Sequence, residues 1–125
     1  MQTGSPNIVA TFRERGPYFH SRVQIEGDEA TFPKGDKVRL TEAEGTSLYK
    51  ILTNLKHSNP DPEYPPRGNS PEGSVYDLQV LEPPTLAMEI RAIQPNPNIP
   101  GEFEELVRLI GPIRGRIKRL TSQRG

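Results

Sequence analysis

Two segments of the chain carry apolar residues at the spacing of an amphipathic helix. In the first, four residues recur at i, i+3, i+4 and i+7: Leu48, Ile51, Leu52 and Leu55. This spacing places them on one helical face. The preceding Thr41-Glu42-Ala43-Glu44 is a capping box, and Pro60 bars the helix from continuing beyond Asn59. The pattern predicts a helix between these limits.

The second segment repeats the same spacing near the carboxyl end. Its four apolar residues are Phe103, Leu106, Val107 and Ile110. Three glutamates occupy the first turn, where the helix dipole favours acids: Glu102, Glu104 and Glu105. Gly111-Pro112 is a typical stop signal, so we expect this helix to end at Gly111.

Four other segments have the composition or the alternation of strands. They are residues 8–12, 19–25, 75–81 and 86–93, in which β-branched or apolar residues dominate or alternate with polar ones. The segments 28–39 and 58–73 lack a comparable pattern, and we expect a polar connection and a long proline-rich loop there. The predicted fold is α+β, a four-stranded antiparallel sheet with two helices on one face in the order ββαββα.

If each element crosses the sheet once, alternate connections share one end of the domain. The turn at residues 13–17 and the loops at 58–73 and 94–100 would then meet, and they hold nine of the 14 prolines. Because proline lowers the entropy lost when a partner immobilises a loop, such an end suits tight recognition. The alternative is that these prolines only terminate strands and discourage edge pairing. The candidate partner-binding residues are Arg15, Gly16, Pro17, Tyr18, Tyr64, Pro65, Pro66, Arg67, Asn96, Pro97, Asn98 and Ile99.

The length of the chain and the distribution of its charge predict a domain boundary near the carboxyl terminus. A chain of 125 residues is the size of one domain. Residues 112–125 hold five basic and no acidic residues, which leaves 11 basic and 16 acidic residues and a net charge of −5 on residues 1–111. We therefore expect one domain over residues 1–111 and a basic, flexible tail over residues 112–125, which makes a nucleic acid an alternative partner.

Catalytic and metal-binding patterns are missing from the sequence. There is no cysteine, and the two histidines, His20 and His57, have no Glu or second His at the i, i+4 spacing of a zinc site. No serine has the glycines of a nucleophile elbow, and no glycine-rich phosphate loop follows a strand. We expect a protein that is not an enzyme, that binds no metal or cofactor, and that is cytoplasmic, since neither a signal peptide nor 18 successive apolar residues occur.

The order of these patterns resembles the emfourin family, small bacterial inhibitors of thermolysin-like metallopeptidases such as protealysin. The resemblance rests on a strand with a glycine turn at Gly16, the capped helix after Leu40, the aromatic strand Tyr76-Asp77-Leu78-Gln79-Val80 and the closing helix. It covers roughly residues 7–110, with Arg15-Gly16-Pro17-Tyr18 in place of the family's Gly-Gly turn. It implies an inhibitor of a zinc metallopeptidase that occludes the active-site cleft with a wedge of loops. A subunit or adaptor of a larger assembly is the third alternative.

Overall fold

The fold is a mixed sheet with two helices packed on one face. The structure, a computed structural model, describes residues 7–16, 20–66 and 73–124, with side chains up to residue 117. In this part of the chain the strands are β1 Val9–Arg15, β2 His20–Glu26, β3 Glu29–Thr31, β4 Lys37–Arg39, β5 Glu63–Tyr64, β6 Val75–Glu82 and β7 Met88–Ile93, and the helices are α1 Glu42–His57 and α2 Glu102–Arg124. The seven strands lie in the order β4-β3-β2-β1-β6-β7-β5. Neighbours are antiparallel except β5 and β7, which are parallel.

The α+β class is confirmed, but the four-stranded antiparallel sheet with order ββαββα is wrong. The structure contains three short strands that the sequence did not predict. Strands β3 and β4 lie in the expected polar connection, and β5 lies in the expected proline-rich loop. Strands β3 and β4 have three residues each, and each buries one hydrophobic residue, Ala30 and Val38. Three residues are too few to show an alternation of apolar and polar side chains in the sequence. The available signal was Gly27-Asp28, a two-residue hairpin turn in which Gly27 has a φ of 66°.

The core lies between one face of the sheet and the two helices. The strands contribute alternate residues to it: Ala10, Phe12, Val23, Ile25, Tyr76, Leu78, Val80, Ile90 and Ala92. The helices contribute Leu48, Ile51, Leu52, Leu55, Phe103, Leu106, Ile110 and Ile113. At its centre Tyr76 lies with its ring 6.0 Å from that of Phe12 and 5.8 Å from that of Phe103. These rings join β1, β6 and α2 into one packed unit.

Helix α1 is confirmed at both ends. The Glu44 N–H donates to Thr41 Oγ1 over 3.1 Å, and the Thr41 N–H donates to Glu44 Oε1 over 2.8 Å, which completes the capping box. The helix ends at His57, with Ser58 as its C-cap. All four residues of the predicted apolar face are buried.

Helix α2 does not end at Gly111, so that prediction is wrong. It continues through Pro112 to Arg124, and Ile113 is only 2% exposed. Proline clashes with the Cβ of the residue before it when that residue is helical, and glycine has no Cβ. With glycine at position 111, the steric strain between Pro112 and the preceding residue is reduced. Proline has no backbone N–H, so Pro112 makes no helical hydrogen bond, and burial of the Ile113 side chain offsets that loss. The expected boundary at residue 111 lies inside α2.

Neither helix of the described chain combines the length and the apolarity that crossing a membrane requires.

Candidate functional site

The candidate segments meet at one end of the sheet. Arg15, the last residue of β1, pairs with Val75, the first of β6, and Val75 pairs with Ile93, the last of β7. Strand β5 runs parallel to β7, so the chain after Tyr64 leaves from the same end. We call the described residues of this end the proline-rich rim: Arg15, Gly16, Tyr64–Pro66, Gly73, Ser74 and residues 94–99.

For the described residues, the ends of β1 and β7 and the start of β6 lie at the expected common end. Pro60 and Pro62 precede β5, so only the part of the expected 58–73 loop that follows β5 leaves from this end. The candidate residues Pro17, Tyr18 and Arg67 lie outside the described residues.

Asn96 holds two segments of the proline-rich rim together. Its Nδ2 donates a hydrogen bond of 2.7 Å to the carbonyl oxygen of Pro65, 31 residues away in sequence. Its Oδ1 accepts from the N–H of Asn98 over 2.8 Å, and its carbonyl oxygen accepts from the N–H of Ile99 over 3.2 Å. One side chain therefore fixes the 94–99 turn and joins it to the segment after β5.

A second junction, missed by the sequence reasoning, lies between Gly73 and Gln94. The N–H of Gln94 donates to the carbonyl oxygen of Ser74 over 2.8 Å. A Cβ built on Gly73 would overlap the carbonyl oxygen of Gln94. A glycine just before a strand is the typical sign of such a close backbone approach, but its partner is 21 residues away, so the sequence alone does not identify the contact.

The candidate residues differ in what they offer a partner. Pro65, Pro66, Pro97 and Asn98 are exposed, whereas Asn96 and Ile99 are half-buried. Tyr64 is only 7% exposed, and its hydroxyl oxygen accepts from the N–H of Asp61 over 2.8 Å. Tyr64 thus supports the proline-rich rim from within, and the exposed residues form its outer surface.

A groove runs between the proline-rich rim and the start of α2. Its volume is about 660 Å³, and it is lined by Tyr76, Gln94, Pro95, Asn96, Pro97, Ile99, Pro100, Gly101, Phe103 and Glu104. Gln94 Nε2 donates to the Tyr76 hydroxyl oxygen over 3.2 Å. Burial, and then the charges of Glu14 and Glu104, raise the pKa of Tyr76, which keeps its hydroxyl protonated at neutral pH. The groove therefore offers apolar walls, neutral hydrogen-bonding groups and the carboxylate of Glu104, a combination that suits a peptide side chain.

The described residues form no metal-binding group. Among them, no three His, Cys, Asp or Glu side chains are placed to hold a metal ion. His20 lies at the start of β2 and His57 at the end of α1. What the proline-rich rim presents is shape and hydrogen bonding.

Two arginines of the basic segment contact the body of the protein. Arg114 Nη2 donates to Ser21 Oγ, and the Arg114 guanidinium lies 5.7 Å from the centre of the Phe32 ring. Arg116 forms an ion pair of 2.6 Å with Glu44 and donates to the carbonyl oxygen of Arg39 over 2.9 Å. Two of the five cations of residues 112–125 are therefore already neutralised or packed against the domain.

Comparison of the chain with protein-family models, with curated proteins and with solved structures found no match. The resemblance to the emfourin family accordingly stays a prediction from the order of sequence patterns, and the architecture and the proline-rich rim rest on this chain's own residues.

Proposed function

We propose that this chain is a protein-binding module that inhibits a thermolysin-like metallopeptidase by inserting the proline-rich rim into the active-site cleft. The observation that carries the proposal is the hydrogen bond from Asn96 to Pro65, which ties two exposed proline-containing segments into one surface. Preorganised loops lose less entropy on binding, so more of the contact energy appears as affinity. Occlusion of a cleft needs this rigidity and a complementary shape, and it needs no catalytic group.

A titration of thermolysin-like peptidases with stoichiometric amounts of the protein tests the proposal. We expect peptide hydrolysis to slow in proportion to the inhibitor added. Asn98→Arg places a bulky cation at the exposed tip of the 94–99 turn, and we expect it to weaken inhibition about tenfold or more, as loss of a central contact does. The matched control is Thr85→Arg, at an exposed position in the turn between β6 and β7, at the opposite end of the sheet.

A further variant tests the rigidity of the proline-rich rim separately from its direct contacts with the peptidase. Asn96→Ala removes the hydrogen bond to Pro65 from a half-buried position. We expect the protein to stay folded, with weaker inhibition caused by looser loops. The proposal is wrong if no peptidase of this class is slowed, or if Asn98→Arg and Thr85→Arg inhibit as well as the unchanged protein.

Nucleic-acid binding through residues 112–125 is the alternative. Its support is the excess of basic residues, and it is weakened by the contacts that Arg114 and Arg116 make with the body. It predicts binding that falls steeply with salt and that disappears when residues 112–125 are deleted. A role as an adaptor or subunit would instead give a stable complex without inhibition. A cytoplasmic location suits all three proposals.

A further inference from the structure

Strand β2 has a neighbour along its whole length on one side but along less than half of it on the other. All seven of its residues pair with β1. On the opposite side, β3 pairs only with Gln24, Ile25 and Glu26. Residues 20–23 therefore lie at an edge inside the sheet, and we call this segment the open edge of β2.

A proline ends the pairing of β3 with β2. Thr31 pairs with Gln24, so the next residue that would face β2 is Pro33, opposite Arg22. Proline has no N–H to donate to the carbonyl oxygen of Arg22. The chain turns away instead, and the N–H of Phe32 donates to the carbonyl oxygen of Asp36 over 2.9 Å. The open edge is thus a consequence of where this proline stands.

The backbone groups of His20 and Arg22 point outward at the open edge. The N–H of Gly27, directly after β2, donates to the carbonyl oxygen of Ile8 on the β1 side over 2.8 Å. Alternate residues of a strand direct their N–H and C=O to the same side, so the even-numbered residues of β2 face away from β1. Within the described part of the chain, no hydrogen bond reaches the backbone groups of His20 or Arg22 on that side. Both residues are exposed, and such groups are a template for another strand.

The two outermost strands of the sheet offer less to an added strand. At β4, Arg116 Nη2 already donates to the carbonyl oxygen of Arg39 over 2.9 Å. Strand β5 has two residues and is followed by Pro65, which has no N–H. Among the described edges, the open edge of β2 therefore has the more accessible backbone groups.

The side chain of Arg22 determines which strand fits best. Arg22 pairs with Arg13 on β1, and like charges directly opposite each other destabilise a sheet. Arg22 forms no ion pair with any described residue. In an added antiparallel strand, the residue opposite Arg22 has its Cβ about 5 Å away, so a carboxylate there can pair with the guanidinium. A second copy of this chain fits poorly, because pairing of two open edges would bring two Arg22 side chains close together.

We propose that an extended segment of another protein adds to the sheet along the open edge of β2, antiparallel to it, with an acidic side chain opposite Arg22. In this mode of recognition, main-chain hydrogen bonds supply affinity and the facing side chains supply specificity. The open edge adjoins the proline-rich rim, since His20 pairs with Arg15. The proposal goes beyond inhibition by that rim, because strand addition requires no peptidase.

The test is fluorescence anisotropy with the labelled peptide Thr-Val-Glu-Val-Thr and the full chain. With Glu opposite Arg22, the N–H of Glu faces β2 and the N–H of each Val faces solvent. N-methylation of Glu should therefore weaken binding at least about tenfold, because it removes a ladder hydrogen bond and places a methyl group in the ladder. N-methylation of one Val is the matched control and should leave binding unchanged.

Charge reversal tests the position of the peptide. Arg22→Glu should weaken binding of the Glu peptide about two- to fivefold and strengthen binding of the same peptide with Lys in place of Glu by a similar factor. Arg22 is exposed, so this variant should remain folded. Lys50→Glu makes the same charge change at an exposed position on α1 and should alter neither affinity. Hydrogen exchange at the N–H of Arg22 should slow when the Glu peptide is bound.

Four results would overturn the proposal. One is no binding of the Glu peptide by the folded protein. Another is equal binding of the two N-methylated peptides, which would mean that the backbone does not pair. A third is an equal effect of Arg22→Glu and Lys50→Glu, which would indicate attraction to the net charge of the protein. The fourth is exchange at the Arg22 N–H that slows with protein concentration alone, which would show that a second copy occupies the open edge.

Discussion

Arg116, in the second half of α2, forms a 2.6 Å ion pair with Glu44, the residue that completes the capping box of α1. Both side chains are largely shielded, at 27% and 16% exposed. One carboxylate therefore serves two purposes, since it caps one helix and anchors the other. This contact explains how a segment that looks like a basic tail becomes part of the domain.

The first prediction compares two alanine substitutions, one at each residue of this ion pair. Arg116→Ala removes the ion pair, and we expect it to lower the free energy of unfolding by about 0.5–1 kcal/mol. Glu44→Ala also removes half of the capping box, so its cost should be about 1–2 kcal/mol. Urea denaturation followed by circular dichroism measures both.

The control for the pair is Arg108→Ala, whose ion pair with Glu104 has side chains that are 74% and 71% exposed. It should change stability less than either variant. Equal effects of Arg116→Ala and Glu44→Ala would show that the capping role is negligible.

The second prediction is a pH dependence at Glu44. The hydrogen bond from Arg116 lowers the pKa of Glu44 against the opposing effect of burial. A carboxyl with a lowered pKa stabilises the folded state above its unfolded pKa of about 4.3 and loses that contribution as pH falls through the folded value. The difference in unfolding free energy between the unchanged protein and Glu44→Gln should therefore shrink in acid, and a constant difference from neutral pH to acid would contradict the assignment.

The third prediction concerns Glu14 and has the opposite sign. Burial raises the pKa of Glu14, and the nearby Arg114 only partly opposes this. A raised carboxyl pKa destabilises the folded state as pH rises from the unfolded pKa through the folded value. Glu14→Gln should therefore stabilise the protein at neutral pH, with a gain that vanishes in acid. A loss of stability at neutral pH would mean that attraction to Arg114 outweighs the cost of burial.

The fourth prediction tests the close approach at the proline-rich rim. Gly73→Ala places a Cβ that overlaps the Gln94 carbonyl oxygen, and the required movement of the backbone should cost about 2 kcal/mol or more. Gly45→Ala, in α1 with no atom within 4 Å of the new Cβ, should instead stabilise by about 0.5–1 kcal/mol. If the fold tolerates Gly73→Ala, the variant should also inhibit less, because the junction between Gly73 and Gln94 has shifted.

The fifth prediction separates two glycines of α2. A Cβ on either Gly111 or Gly115 meets no distant atom within 4 Å. Gly115→Ala should stabilise the helix by about 0.5–1 kcal/mol. Gly111→Ala should fail to do so, because its Cβ would clash with the ring of Pro112. Equal stabilisation by both variants in thermal denaturation would rule out this explanation of how the helix passes the proline.

The sequence by itself determined the elements whose signals are local. Examples are the capping box at Thr41, the four-residue apolar face of α1 and the alternation from Val75 onward. The first two lie within a few turns of one helix, and the third lies within one strand. Physical interactions between near neighbours decide these elements, so they can be read from spacing alone. Chain order also sufficed to bring the ends of β1 and β7 to one rim.

Only the tertiary structure decided the short strands, the path of α2 beyond Gly111 and the cross-strand row of Arg22, Arg13, Asp77, Arg91 and Glu63. A two- or three-residue strand such as β5 forms because a neighbouring strand offers it hydrogen bonds, and no local pattern records that neighbour. Likewise, Pro112 is tolerated because Ile113 and Arg116 find partners far away in sequence. The row from Arg22 to Glu63 exists only once five separate strands are in register, since pairing between distant segments fixes which side chains become neighbours.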